Sequence, residues 1–183
     1  KEFVDRMLSH DGECDFAKDV ATLYPLRVIM QILGVPIEDE PLMLKLTKQV
    51  FGNLDEDLNQ SGKAKQTAEQ GLFDLSRAVE TFFKYFDVIT RDRRASPRDD
   101  LATVIANGTI DGEPIGNFEA MSYYSLVSTA GHDTVSASIA DGIMALCEFP
   151  EEFAKIKADP TLIPGLVEES IRWSSPVRHF MRT

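Results

Sequence analysis

Between Phe118 and Phe149 the chain is predominantly apolar, yet Ala130-Gly131-His132-Asp133-Thr134 interrupts the middle of that stretch. As one helix it would run roughly 45 Å at about 1.5 Å per residue, enough to cross a whole domain. A buried helix has little reason to set a glycine, an acid and a hydroxyl side by side, because glycine in its interior costs about 1 kcal/mol against alanine. Two readings follow. Asp133 and Thr134 lie on the solvated edge of an amphipathic helix, with Gly131 admitting a crossing helix. Alternatively, the interruption marks a functional site.

The flanking sequence reads as further helices with brief breaks. Phe3, Val4, Met7 and Leu8 have helical spacing within Lys1 to Ser9, whereas Cys14 to Ala21 is ambiguous and is taken as a short extended piece. Pro25 suits a first helical turn, and the stripe Leu26, Ile29, Met30 and Leu33 ends at Gly34. Glu38 to Phe51 forms another helix, and the acidic, polar Gly52 to Gly62 is expected to be a loop. Lys63 to Arg93 is long and amphipathic, with Leu72, Leu75, Val79, Phe82, Phe83 and Phe86 expected inside. Its basic end, Arg91 to Arg94, reads as a solvated C-terminal cap, where cations meet the negative end of the helix dipole.

A helix from Asp99 ends at Asn107-Gly108, and Thr109 to Ile115 reads as a small hairpin on its Asp111-Gly112 turn. Asn117 can cap the central helix. A short helix follows Pro150, Asp159-Pro160 closes it, and Pro164 opens the next, which carries Glu169-Ser170-Ile171-Arg172. Val177 to Thr183 alternates in the manner of a strand. The fold class is therefore all-α with minor β pieces.

Size and charge restrict the classes of function. At 183 residues, 43% hydrophobic and 27% charged, the chain can bury a core without disulfides or metal, and 1–183 is expected to be one domain. A net charge of −11 disfavours nucleic acid. Polar interruptions argue against a membrane span in Phe118 to Phe149. Two distant cysteines, Cys14 and Cys147, form no secreted framework and point to a reducing cytoplasm.

Glu-x-x-Arg alone is a weak signal, since charge pairs three residues apart decorate many exposed helices. Its order and spacing after Ala130-Gly131-His132-Asp133-Thr134, with Pro176-Val177 and Arg182 following, are far more specific. Together these segments resemble the cytochrome P450 superfamily, the haem-thiolate monooxygenases. The likeness extends to Phe16–Pro36 and Asp100–Gly108 and so spans nearly the whole chain. It looks nearest to the soluble bacterial members that hydroxylate terpenes and related hydrocarbons.

The resemblance implies the central helical portion of that fold, with haem as cofactor, a small hydrophobic substrate, and a ferredoxin-type iron-sulfur protein delivering electrons from NAD(P)H. It implies catalytic roles for Asp133, as a proton donor acting through water, and for Thr134, whose hydroxyl can reach back to the Ala130 carbonyl or toward oxygen. Ala130 and Gly131 would let the haem approach the backbone. Val127 and Val177 would line the cofactor, Arg182 would bind a propionate as a bidentate fork, and Leu126, Thr129 and Val177 would face substrate. No catalytic role falls to His132.

Glu169 and Arg172 form the family's structural pair, locked there by a later arginine; here they are expected to meet each other or to be partly exposed. No metal ligand is expected: the family's cysteine loop and N-terminal portion have no counterpart in this sequence, and neither Cys14 nor Cys147 has the glycine-rich context of an axial ligand. Activity of the chain alone is therefore not expected. A non-catalytic helical ligand-binding module, or a purely structural fragment, is the alternative.

Overall fold

The computed structural model describes residues 1–9, 12–51 and 68–177. Over these residues the chain is helical, with one two-stranded hairpin among them. It divides into two compact units, Leu26–Ala130 and the combination of Lys1–Pro25 with Gly131–Thr183.

The first unit contains α2 (Leu23–Leu33) from Leu26 onward, a 3-10 turn (Ile37–Asp39), α3 (Glu40–Phe51), α4 (Ala68–Ala95), α5 (Leu101–Ala106), the hairpin strands β1 (Thr109–Ile110) and β2 (Glu113–Pro114), and α6 (Asn117–Ala130). Leu26, Met30, Met43, Leu46, Phe82 and Phe86 make much of its core, each contributing about 1.5–3 kcal/mol by leaving water. Phe86 stacks on Tyr124 with ring centroids 4.6 Å apart. The buried Tyr124 hydroxyl donates to the Ala102 carbonyl at 3.0 Å, tying α6 to α5.

On α4 the buried line is Ala78, Phe82, Phe86, Thr90 and Arg93. Leu72, expected inside, is instead exposed, because it lies off this four-residue repeat. The basic end of α4 is a solvated cap only in part: Arg91 and Arg94 are exposed, but Arg93 is not. Arg93 is buried, with Nε donating to Asp100 Oδ2 at 2.7 Å, Nη2 to the Gly34 carbonyl at 2.8 Å, and Nη1 paired with Asp92. Arg94 donates to the carbonyls of Ala106 at 2.9 Å and Ile115 at 3.1 Å. The two guanidiniums thus satisfy carbonyls at the ends of α2, α5 and the hairpin, groups that helix ends leave without partners. Asp100 caps α5 by accepting from the Thr103 N–H at 2.8 Å. Gly34 is required beside it: φ is +69°, and a Cβ there would meet Asp100 Oδ2 at 2.1 Å. The hairpin turns through Asp111 (φ 53°) and Gly112 (φ 86°), as its Asp-Gly sequence predicts.

The second unit contains α1 (Glu2–Leu8), a π-helical turn (Ala17–Ala21), α7 (Asp133–Glu148), α8 (Pro150–Ala158), a 3-10 turn (Pro160–Leu162) and α9 (Ile163–Ser174). Cys14 to Ala21 is thus not extended over its second half. The wide turn is closed by Thr22, whose N–H and hydroxyl both donate to the Ala17 carbonyl, at 3.0 and 2.8 Å. α7 and α9 pack closely where Gly142 faces Ser170; a Cβ on Gly142 would lie 2.5 Å from Ser170 Oγ and 2.9 Å from its Cβ. Ser174 Oγ donates to Asp141 Oδ2 at 2.6 Å across the same contact.

The stretch expected to be one 45 Å helix is two, α6 and α7, parted by a turn at Gly131-His132. Of the strand expected over Val177 to Thr183, Val177 is irregular. The rest of it, with Arg178, His179 and Arg182, lies outside the described residues, as does the loop expected over Gly52 to Gly62.

Candidate functional site

The interrupted segment sits at the meeting of two helices in sequence. At the end of α6, Leu126 is exposed, while Val127 packs against the core of its own unit. Thr129 is buried and its hydroxyl donates back to the Ser125 carbonyl at 2.6 Å, leaving the methyl as the face free of polar demands. Ala130, the last residue of α6, is exposed. These four belong to the unit Leu26–Ala130; Gly131, Asp133, Thr134 and Val177 belong to the other.

Asp133 is the first residue of α7 and is solvent-exposed, so its carboxylate stands at the positive end of the helix dipole. Thr134 follows, half-buried, and lines a groove of about 330 Å³ between α7 and α9. Ser138, Ile139, Gly142, Leu166, Ile171 and Pro176 also line it. Val177, next in sequence, is 45% exposed. The Ser138 hydroxyl donates to the Thr134 carbonyl at 2.9 Å, so the groove lining is apolar apart from short hydroxyls.

Glu169 and Arg172 meet in a bidentate pair, Nε to Oε2 at 2.7 Å and Nη2 to Oε1 at 2.6 Å. Both side chains are more than half exposed. The Arg172 guanidinium holds the Glu169 carboxyl below its usual range.

Two features have no role assigned from the sequence. His132 is fully buried, with Nε2 2.7 Å from the Thr22 carbonyl oxygen. Asp141-Gly142 marks the α7–α9 crossing, and its signal was available: an acid and a glycine adjacent within an apolar helix, the same pattern noticed at Gly131–Asp133.

A haem-sized ligand needs an apolar plane, partners for its propionates and an axial ligand. The groove wall with Thr134 supplies an apolar face carrying a few short hydroxyls, which fits the side on which oxygen and substrate bind. Cys14 and Cys147 are both exposed, and neither lines the groove, so the residues described fit the wall of such a site but not its thiolate. Among the described residues no group of three or more His, Cys, Asp or Glu side chains is arranged to hold a metal ion, and no helix is long and apolar enough to cross a membrane.

No protein-family model matches the chain. Individual proteins match it strongly. Cytochrome P450-terp of a Pseudomonas species is 46% identical over 180 residues, covering 98% of this chain and 42% of that protein. Steroid C26-monooxygenase of Mycolicibacterium smegmatis is 34% identical over 172 residues, covering 94% and 41%. Among solved structures, CYP108D1 of Novosphingobium aromaticivorans superposes with a TM-score of 0.84 at 48% identity, covering all of this chain and 40% of the other. CYP268A2 of Mycobacterium marinum, solved in complex with pseudoionone, gives 0.83 at 26% identity, covering 94% and 40%. The chain therefore spans about two fifths of the length of these relatives.

Proposed function

The chain belongs to the cytochrome P450 superfamily, and from that premise we propose that the whole protein is a haem-thiolate monooxygenase hydroxylating a small hydrophobic substrate, such as a terpene or hydrocarbon. The observation that carries this is the break at Gly131-His132, which sets Asp133 and Thr134 at the start of α7, with Thr134 on the apolar groove. The names of the relatives, a cytochrome P450-terp and a steroid C26-monooxygenase, support the choice of substrate class.

Haem, when bound, supplies dioxygen activation and one-electron chemistry that side chains lack. The chain's own residues do the rest. Asp133, in water at a helix N-terminus, collects protons from solvent and passes them inward. Thr134 holds a proton at its hydroxyl inside the groove. Ala130 and Gly131 carry no bulk to obstruct a flat ring. By resemblance to the family, Leu126, Thr129 and Val177 are assigned to substrate, and Val127 and Arg182 to the cofactor. Electrons reach the site from NAD(P)H through a ferredoxin-type iron-sulfur protein, and the protein works in the cytoplasm.

The thiolate comes from outside the described residues, because both described cysteines are exposed and neither lines the groove. The test is the carbon monoxide difference spectrum after reduction. The complete protein is expected to give the long-wavelength Soret band of thiolate ligation, and the 183-residue chain supplied with haem is expected to give none. A complete protein without that band would overturn the monooxygenase reading; the chain alone showing it would overturn the assignment of the thiolate elsewhere.

A further inference from the structure

The His132 ring is pinned from one side. Nε2 lies 2.7 Å from the carbonyl oxygen of Thr22, which ends the π-helical turn. A carbonyl can accept but not donate, so Nε2 carries hydrogen, and in the neutral ring Nδ1 keeps its lone pair. Nδ1 is buried and makes no hydrogen bond, yet Asp133 Oδ1 stands 3.3 Å away. A lone pair facing an ionised carboxylate oxygen repels it, whereas one proton between them turns the same contact into a charge-assisted attraction. The ring is 1% exposed and the Asp133 side chain 54%, so water reaches the carboxylate and not the ring.

Other charged groups on the neighbouring elements are engaged elsewhere. Lys18 on the π-helical turn pairs with Asp15 at 2.7 Å, and Asp19 accepts from the Asp15 N–H at 3.0 Å. On α7, Asp141 accepts from Ser174. Among the described residues, Asp133 is the charged group whose oxygen is brought to the ring.

We propose that His132 is a positioning residue that holds Asp133 through a shared proton. The pair takes one proton from water and keeps it between Nδ1 and Oδ1, which fixes the carboxyl against the start of α7. When that proton returns to water, the ring stays on Thr22 through Nε2–H while the carboxylate turns out to solvent. The proton delivery assigned to Asp133 above, on which this consequence rests, is then set by the state of a buried histidine one residue away.

Nitrogen-15 NMR of the histidine rings tests this on the chain itself, which has three histidines. His132→Gln identifies the signals and keeps an amide donor for Thr22. The expected result is an Nε2–H tautomer for the neutral ring and an Nδ1 signal that moves in Asp133→Asn, since the Asp133 carboxylate oxygen is the polar atom facing it. Asp133 is exposed, so that variant leaves the core intact. An Nδ1–H tautomer, or an Nδ1 signal that Asp133→Asn leaves unmoved, would overturn the proposal. A complete protein lacking the thiolate spectrum would sink the monooxygenase reading while leaving these ring signals as they are.

Discussion

Arg93 shows how much one buried cation can organise. Its guanidinium joins the end of α4 to the cap of α5 and to the carbonyl of Gly34, and its partner Asp100 is itself buried. Removing one member of such a pair leaves the other as an uncompensated buried charge, so Asp100→Ala is expected to lower stability by about 3–5 kcal/mol. The dependence on acid follows from the same contact. Burial alone would raise the Asp100 carboxyl, but hydrogen bonds from Thr103 and the Arg93 guanidinium outweigh it and hold the carboxyl below its usual range. A depressed carboxyl stabilises the fold fully above its unfolded-state value, near pH 4, and that stabilisation is lost as pH falls through the lower folded-state value. Urea unfolding followed by circular dichroism from pH 6 to pH 2 is therefore expected to show a shallower acid loss for Asp100→Asn than for the unsubstituted chain. Equal slopes would mean that Asp100 does not contribute as described.

Among the elements, α7 and α9 are the pair whose approach depends most on one missing side chain. The two helices meet at Gly142 and Ser170 with no room for a Cβ, and Asp141 and Ser174 hydrogen-bond beside them. Gly142→Ala is expected to cost about 1–3 kcal/mol, because overpacking there outweighs the gain in helix propensity. Combined with Ser170→Gly the loss is expected to be smaller than the sum of the two single changes, the mark of a direct contact. Strict additivity in chemical denaturation would place the crossing elsewhere. Helices such as α1, α3 and α9 were legible in the sequence because periodicity, proline and glycine are local signals, and the hairpin was legible because Asp-Gly fixes its turn. The π-helical turn and the burial of Arg93 were not, since each depends on groups distant in sequence, such as Thr22 with His132 or Gly34 with Arg93; at Gly142 the acid beside a glycine was a local sign, but its partner Ser170 was not. Of the candidate site, Gly131 to Thr134 could be picked out in advance as an interruption within one helix, whereas the structure ends α6 there and begins α7. The task of His132 could not, because its partner carbonyl lies 110 residues upstream.

Taken as a whole, burial is distributed unevenly along the chain. In the unit Leu26–Ala130, α4, α5 and α6 each carry several buried residues, and aromatic stacking and buried hydroxyls join them. In the other unit, α1, α8 and α9 carry none, and α8 and α9 leave Phe153, Val167, Ile171 and Trp173 close to half exposed. Helices shorter than about 12–15 residues are marginal in water unless tertiary packing supports them, and α8 has nine residues and α9 twelve. α9 gains support on one side from α7; α8 has much less. Local opening free energies should follow this order. In hydrogen exchange measured by mass spectrometry on the isolated chain, amides of α4 to α6 are expected to be the slowest, α9 intermediate, and α1 and α8 the fastest. Uniform protection would mean that the chain opens as one cooperative body and that the uneven burial has no energetic counterpart. Slow exchange in α8 with fast exchange in α5 would put the stable core in the wrong unit.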